Sequence, residues 1–137
     1  MTGPEPASAW ARLNADGLAF LHERHLAVLS TLGAGGRIHA VPVGFTVDQG
    51  LIRVITSVSS QKVRNVQRDP TCSLTQVDGR RWITVQGDAE VVSGAGDVAD
   101  AEALYESRYR RPRPNPERVV LLVRATRILA DSTLRAF

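Results

Sequence analysis

Lysine is nearly missing from this chain: of its 17 cationic side chains, all but Lys62 are arginine. Cysteine is equally scarce. Cys72 stands alone, which excludes an internal disulfide and leaves no second thiol for a cysteine-based metal site, so it is expected to pack as a small hydrophobe. The three histidines, His22, His25 and His39, show no ligand spacing, and no metal is expected. No serine is spaced to pair with a histidine, which argues against a nucleophilic triad. Two Trp, two Tyr and three Phe are too few for the interleaved stacking of a single-strand nucleic-acid binder, and nucleic acid is not an expected partner. No apolar run approaches the roughly 18 residues of a membrane span, so no membrane partner is expected. No N-terminal segment joins a basic region to an apolar run and a cleavage site, which makes the cytoplasm the expected location.

What is present fits one domain. A length of 137 residues, 43% hydrophobic and 23% charged, is ordinary globular composition. Residues 1–12, rich in Pro, Gly and Ala at their start, read as a disordered tail, and residues 13–137 as the folded domain. The net charge of +3 is spread along the chain except for five arginines between Arg108 and Arg118. That distribution suits a small anionic ligand better than a nucleic-acid face, because clustered guanidinium forks match carboxylates and phosphates.

The periodicity is mostly that of strands. A first helix follows Asn14 or Asp16 as N-cap, with Leu18, Leu21 and Phe20 toward a core. Residues 26–32 and a long strand over 37–47 form a hairpin around Gly-Ala-Gly-Gly. Asp48-Gln49-Gly50 turns into a strand over 51–57. After a short helix stopped by Asp69-Pro70 come strands over 71–77 and 81–92, the second with a bulge or bend at Gly87. Residues 97–109 have helical spacing with Asp97 as N-cap, the Arg-Pro run after them is a stiff exposed loop, and 119–128 is the last strand. Six mainly antiparallel strands with short helices and no βαβ alternation predict a small, nearly closed β-barrel. Its interior is too small for a cofactor, which has to lie outside it or between two copies.

One stretch concentrates chemistry. The strand over 51–55 runs into Thr56, Ser57, Ser59 and Ser60, and then into a helix carrying Lys62, Arg64 and Arg68. A helix start presents unpaired N–H groups and the positive end of its dipole, so this junction suits a phosphate. A capped surface helix with solvated cations is the alternative. Two details favour the phosphate: more hydroxyls than one cap needs, and a first-turn lysine that opposes the dipole unless an anion sits there. The strand from Ile38 to Phe45 is the second candidate, since a proline and a glycine, Pro42 and Gly44, are unusual within a central strand: it is either an edge strand or one whose free backbone groups face a planar ligand. Trp82 and the loop carrying Arg110, Arg111 and Arg113 are further candidates, the arginines for ligand carboxylates.

The order strand, T-S-x-x-S-Q-K, helix, D-P, strand resembles the pyridoxamine 5′-phosphate oxidase-like split β-barrel superfamily, whose flavin-binding members carry Ser-Arg-Lys on the FMN phosphate. Gln61 departs from that triplet and removes a bidentate cation. Over residues 16–128 the segments F-L-x-E-R-H-L-A-x-L, H-A-V-P-V-G-F-T, R-V-I-T, S-Q-K, Q-V-D-G-x-R-W and R-Y-R-R-P-R-P-N-P-x-R-V-V are similar to the deazaflavin branch, within it to the coenzyme F420-dependent biliverdin reductases. The resemblance implies a six-stranded split β-barrel forming a homodimer, with two cofactor sites at the subunit interface. It implies cofactor contacts from His39, Ala40, Val41, Pro42 and Gly44, from Thr56, Ser57, Ser60, Gln61 and Lys62, and, from the partner chain, Gln76, Val77, Asp78, Gly79 and Trp82. It implies hydride transfer from reduced coenzyme F420 to a conjugated tetrapyrrole such as biliverdin, without a protein nucleophile. Arg110, Arg111 and Arg113 would face the substrate's propionates. FMN in the same fold, or a non-catalytic tetrapyrrole or deazaflavin carrier, are the alternatives.

Overall fold

The computed structural model describes residues 8–137 and consists of one seven-stranded antiparallel sheet with three α-helices packed about it. In chain order the elements are α1 (Ala15–His22), β1 (Ala27–Leu32), β2 (Ile38–Val43), β3 (Thr46–Asp48), β4 (Leu51–Ser57), α2 (Gln61–Arg68), β5 (Thr71–Asp78), β6 (Arg81–Val92), α3 (Ala95–Arg108) and β7 (Arg118–Ala130). Hydrogen bonding orders the strands β2-β1-β5-β6-β7-β4-β3. The two edge strands, β2 and β3, are consecutive in the chain and separated only by Gly44 and Phe45. Three residue steps reach at most about 11 Å. The sheet therefore curls until its edges nearly meet, and the barrel is split along the seam between β2 and β3, which share no ladder.

The seam accounts for seven strands where the sequence pattern suggested six. A single strand over 37–47 is not formed. Phe45 is completely buried, and its N–H donates to the Tyr109 hydroxyl at 3.2 Å instead of to a neighbouring strand. Gly44 admits two tyrosine rings onto its backbone: a Cβ there would lie 2.8 Å from Tyr105 Cε2 and 3.2 Å from Tyr109 Cε2. Beyond the break, β3 and β4 form a two-residue hairpin in which Gln49 and Gly50 have φ of 52° and 73°, the mirror-image turn that suits strand twist. The register of β6 against β7 shifts between Gln86 and Gly87, where a Cβ would sit 2.2 Å from the Arg124 carbonyl oxygen, so the bulge expected at Gly87 is present.

The barrel interior is closed by Phe20, Phe45, Leu29, Ile52, Leu74, Ile83 and Leu121, all at most 1% exposed. Asn14 caps α1 by accepting from Gly17 N at 2.8 Å. α3 begins two residues earlier than expected, with Gly94 rather than Asp97 at its N-cap, so Asp97 falls in the first turn. Of the expected tail, residues 1–7 lie outside the described residues. Ala9–Arg12 forms a 3-10 turn, with Trp10 packed on the core and its indole Nε1 donating to Gly50 O at 3.1 Å. Cys72 is buried against Gly87, and burial pushes its thiol up to about 11. Among the described residues no helix is long and apolar enough to cross a membrane.

Candidate functional site

β4 delivers the chain to the seam, where it turns through Val58 and Ser59 into α2 with Ser60 at the N-cap. Val63 and Val66 bury one face of α2, and Asn65, fully buried, pins the helix to β1 by donating to Thr31 Oγ1 at 3.0 Å. The first turn is left open. Ser60 makes no side-chain cap bond; its hydroxyl accepts instead from Thr56 Oγ1 at 3.2 Å, and Ser57 Oγ accepts from Asn115 Nδ2 at 2.8 Å. The hydroxyls are therefore organised by one another and by the Arg-Pro loop, while the helix's leading amides have no side-chain acceptor.

Lys62 leaves this turn half-buried and has no carboxylate partner among the ion pairs of the described residues. Its pKa lies below the usual lysine value because burial penalises the charged form. It faces a cleft of about 340 Å³, walled by Pro42, Val43 and Gly44 from the seam, Ile55 from β4, Tyr105 from α3, Arg110, Pro112 and Arg113 from the loop, and Arg118 from β7. Four of these ten residues are cationic and none is acidic. Arg118 is the best fixed of them: its side chain is 9% exposed, pairs with Glu102 on α3, and donates through Nη2 to Arg113 O at 2.8 Å. That arrangement holds the loop against α3 and aims positive potential into the cleft, which suits an anionic group lying between Lys62 and the loop.

Pro42, Gly44, Lys62, Arg110 and Arg113 thus meet in one cleft. Arg111 is exposed on the same loop without lining it. His39 and Gln61 line a separate hollow of about 830 Å³ with the Gly33–Gly35 turn and Arg37. Gln61 is not free to act as the missing guanidinium, since its amide donates to Asn65 Oδ1 at 2.8 Å and accepts from Arg64 at 2.6 Å. On β2, Val41 packs against the core while Ala40 and Pro42 point outward. The group 76–79 with Trp82 sits on the β5–β6 hairpin, away from the cleft. Gln76 departs most from expectation: it is fully buried, donating to Phe20 O at 2.7 Å and accepting from Arg108 at 3.2 Å, so its side chain serves the fold. Val77 is exposed, Gly79 has a φ of 62°, and Trp82 is half-buried.

Asp78 is engaged elsewhere. It joins Glu23 and His25 in a cluster whose ligand atoms lie within 4.8 Å of one another, but Arg81 bridges both carboxylates at 2.6 and 2.7 Å and supplies the cation. The hydrogen bond from Arg81 lowers the Glu23 pKa. Sequence pattern missed Ile55, Tyr105 and Arg118 as cleft residues. Arg118 belongs to the arginine cluster noted above, yet only the pairing Ser57↔Arg118 brings it beside the hydroxyl turn.

Comparison with known proteins shows the family and the fold. The profile of the family described as pyridoxamine 5′-phosphate oxidase matches residues 14–130. The F420H2-dependent biliverdin reductase of Mycobacterium tuberculosis is 50% identical over 125 residues, covering 90% of this chain and 91% of that protein. Among solved structures, a conserved hypothetical protein of Mycobacterium tuberculosis superposes with a TM-score of 0.78 at 24% identity, over 93% of this chain and 89% of that one. A structure described as an F420 reductase gives a TM-score of 0.70 at 23% identity, over 81% of this chain and 94% of that one. At these identities the two structures speak for the fold.

Proposed function

The chain belongs to the pyridoxamine 5′-phosphate oxidase family, and from that premise we infer that it is a coenzyme F420H2-dependent reductase that converts biliverdin to bilirubin. The observation that carries this reading is the 50% identity to the biliverdin reductase over nine-tenths of the chain. The cleft fits the cofactor's phosphate: among the described residues the first turn of α2 is uncapped by a side chain, Lys62 is half-buried without an anionic partner, and no carboxylate lines the walls. When bound, the reduced deazaflavin supplies a hydride from its C5. The chain's own residues bind, orient and exclude water.

In this reading Lys62 and the amides of Gln61 and Lys62 hold the phosphate, with the Ser57 and Ser60 hydroxyls as further donors and Thr56 orienting Ser60 by donating to its hydroxyl. The backbone from His39 to Pro42 and Gly44 flanks the deazaflavin ring. Arg110, Arg111 and Arg113 take the propionates of the tetrapyrrole. Because the deazaflavin is the reductant, positioning rather than covalent catalysis is the protein's task. A cytoplasmic location belongs to the same reading.

The second subunit is also part of the proposal. The outward positions of β1, β2 and β5 carry no charged residue, and Ile38, Val28 and Val77 there are 76%, 42% and 58% exposed, with Leu26 just ahead of β1 also at 58%. An uncharged sheet face with large exposed aliphatic side chains among its Ser and Thr residues suits a second copy of itself. A two-fold pairing on it would bring Val77, Asp78, Gly79 and Trp82 of one subunit toward the ring site of the other, with Gln76 contributing backbone only. The reading is tested by titrating the purified protein with oxidised coenzyme F420 and, separately, with FMN. Saturable binding of the deazaflavin is expected; tight binding of FMN with no response to coenzyme F420 would refute it.

A further inference from the structure

Tyr105 of α3 faces the cationic cleft, but the face carrying Leu104 and Arg108 closes a different hollow. Its inner part, about 230 Å³, lies between Thr46 on β3 and Leu104, Ser107 and Arg108 on α3. Its outer part, about 410 Å³, runs out past Trp10 and Leu18 to the Asp48–Gly50 turn. His22 and Val47 line both parts, so the two hollows adjoin. Together they have the size of a small-molecule site.

The inner end holds donors without acceptors. Thr46 is only 5% exposed and its hydroxyl has no hydrogen-bond partner among the described residues. Arg53 lies directly opposite Thr46 in the β3–β4 ladder, hence on the same face, and its Nη1 is also buried without a partner. Arg108 Nε is the third such atom. The rest of the Arg108 guanidinium is spent on neutral oxygens: Leu21 O at 2.5 Å, Glu23 O at 2.7 Å and Gln76 Oε1 at 3.2 Å. Neither Arg53 nor Arg108 takes part in an ion pair among the described residues. A half-buried cation, Arg108, and the buried Thr46 hydroxyl therefore line a hollow whose walls carry no carboxylate, with Arg53 behind Thr46 in the ladder rather than in the walls. Buried donors are normally paired, and a cation drawn out of water without a counter-charge favours an anion beside it.

The walls beyond are apolar. Leu104 and Val47 flank the inner part, and Trp10 and the 43%-exposed Leu18 the outer one. Asp48 at the mouth repels a second negative charge on the outer end of a ligand. We propose that this groove is a second ligand site, distinct from the cofactor cleft, which takes a small amphipathic monocarboxylate. Its carboxylate accepts from the Thr46 hydroxyl and lies beside the Arg108 guanidinium, and its aromatic or aliphatic body extends toward Trp10 and Leu18.

Phenylacetate is the probe and neutral phenylacetamide its control, each titrated into the isotopically labelled full chain and followed by two-dimensional amide NMR. The site predicts saturable shifts at Thr46, Val47, Leu104 and Ser107 with phenylacetate. With phenylacetamide it predicts at least tenfold weaker shifts. Thr46→Val, which keeps the shape and removes the hydroxyl, is expected to weaken phenylacetate at least tenfold while the spectrum stays dispersed. Should that variant fail to fold, Leu104→Trp fills the inner hollow from α3 and is expected to abolish the shifts. Absence of saturable shifts, equal response to acid and amide, or shifts confined to the surroundings of Lys62 and Arg110 would overturn the proposal. Unchanged binding by the folded variant would overturn it as well.

Discussion

Replacing Lys62 by Met separates what this side chain does for folding from what it does for the cofactor. Lys62 has no carboxylate partner among the described residues, and burial disfavours its charge, so the ammonium contributes nothing favourable to the unliganded fold. Met and Lys have nearly equal helix propensity, and removing a cation from the first turn of α2 relieves about 0.3–1 kcal/mol of opposition to the helix dipole. Unliganded Lys62→Met is therefore expected to be as stable as the parent or slightly more so. Binding should move the other way. A hydrogen bond from an ammonium to a phosphate is worth about 1.5–3 kcal/mol, which corresponds to roughly 10- to 150-fold in affinity.

The sign with pH follows from the lowered pKa. Between the folded pKa and the ordinary value of 10.5 the unfolded chain binds more protons at this position, so unliganded stability gains a contribution from Lys62 as pH rises through that window. Cofactor affinity falls over the same interval as the ammonium is lost. The assays are chemical denaturation of the unliganded protein and fluorescence titration with coenzyme F420, each carried toward high pH for parent and variant. A variant that binds the cofactor with parental affinity would remove Lys62 from the phosphate site, and one destabilised by more than about 1 kcal/mol would contradict the claim that its charge does nothing for the unliganded fold.

Gly44→Ala places a methyl 2.8 Å from the Tyr105 ring, and the ring can yield only by turning in the cleft. We expect a stability loss of about 1 kcal/mol, the low end for overpacking, and a larger loss of coenzyme affinity; denaturation midpoints and the same titration check it. Val28→Asp puts a charge in the middle of the uncharged sheet face, and sedimentation should shift from dimer to monomer with far-UV circular dichroism unchanged. An unaltered mass would place any subunit contact elsewhere.

Local chemistry made much of the fold legible. The β3–β4 turn announces itself through Asp48-Gln49-Gly50, α2 through the hydroxyl cluster before it and Asp69-Pro70 after it, α1 through its Asn14 cap, and the β6 bulge through Gly87. The break at Gly44 and Phe45 was hidden because its cause is tertiary: the Tyr109 hydroxyl takes the Phe45 N–H from 64 residues away. The same holds for Gln76. Alternation along β5 puts it on the inward face with Leu74, but only α1 and Arg108 reveal why a polar side chain is stable there. In the candidate site, Lys62 stood out as the lone lysine at a helix start. Arg118 and Tyr105 did not, since cleft walls built from β7 and α3 depend on strand register and helix rotation that spacing alone leaves open.

Turnover tests the central claim most directly. The purified protein is mixed anaerobically with reduced coenzyme F420 and biliverdin, and both absorbance bands are followed. Stoichiometric oxidation of the deazaflavin with formation of bilirubin is the predicted result. Stable biliverdin and unoxidised cofactor, in the presence of protein shown to bind both, would contradict it and leave a carrier in place of a reductase.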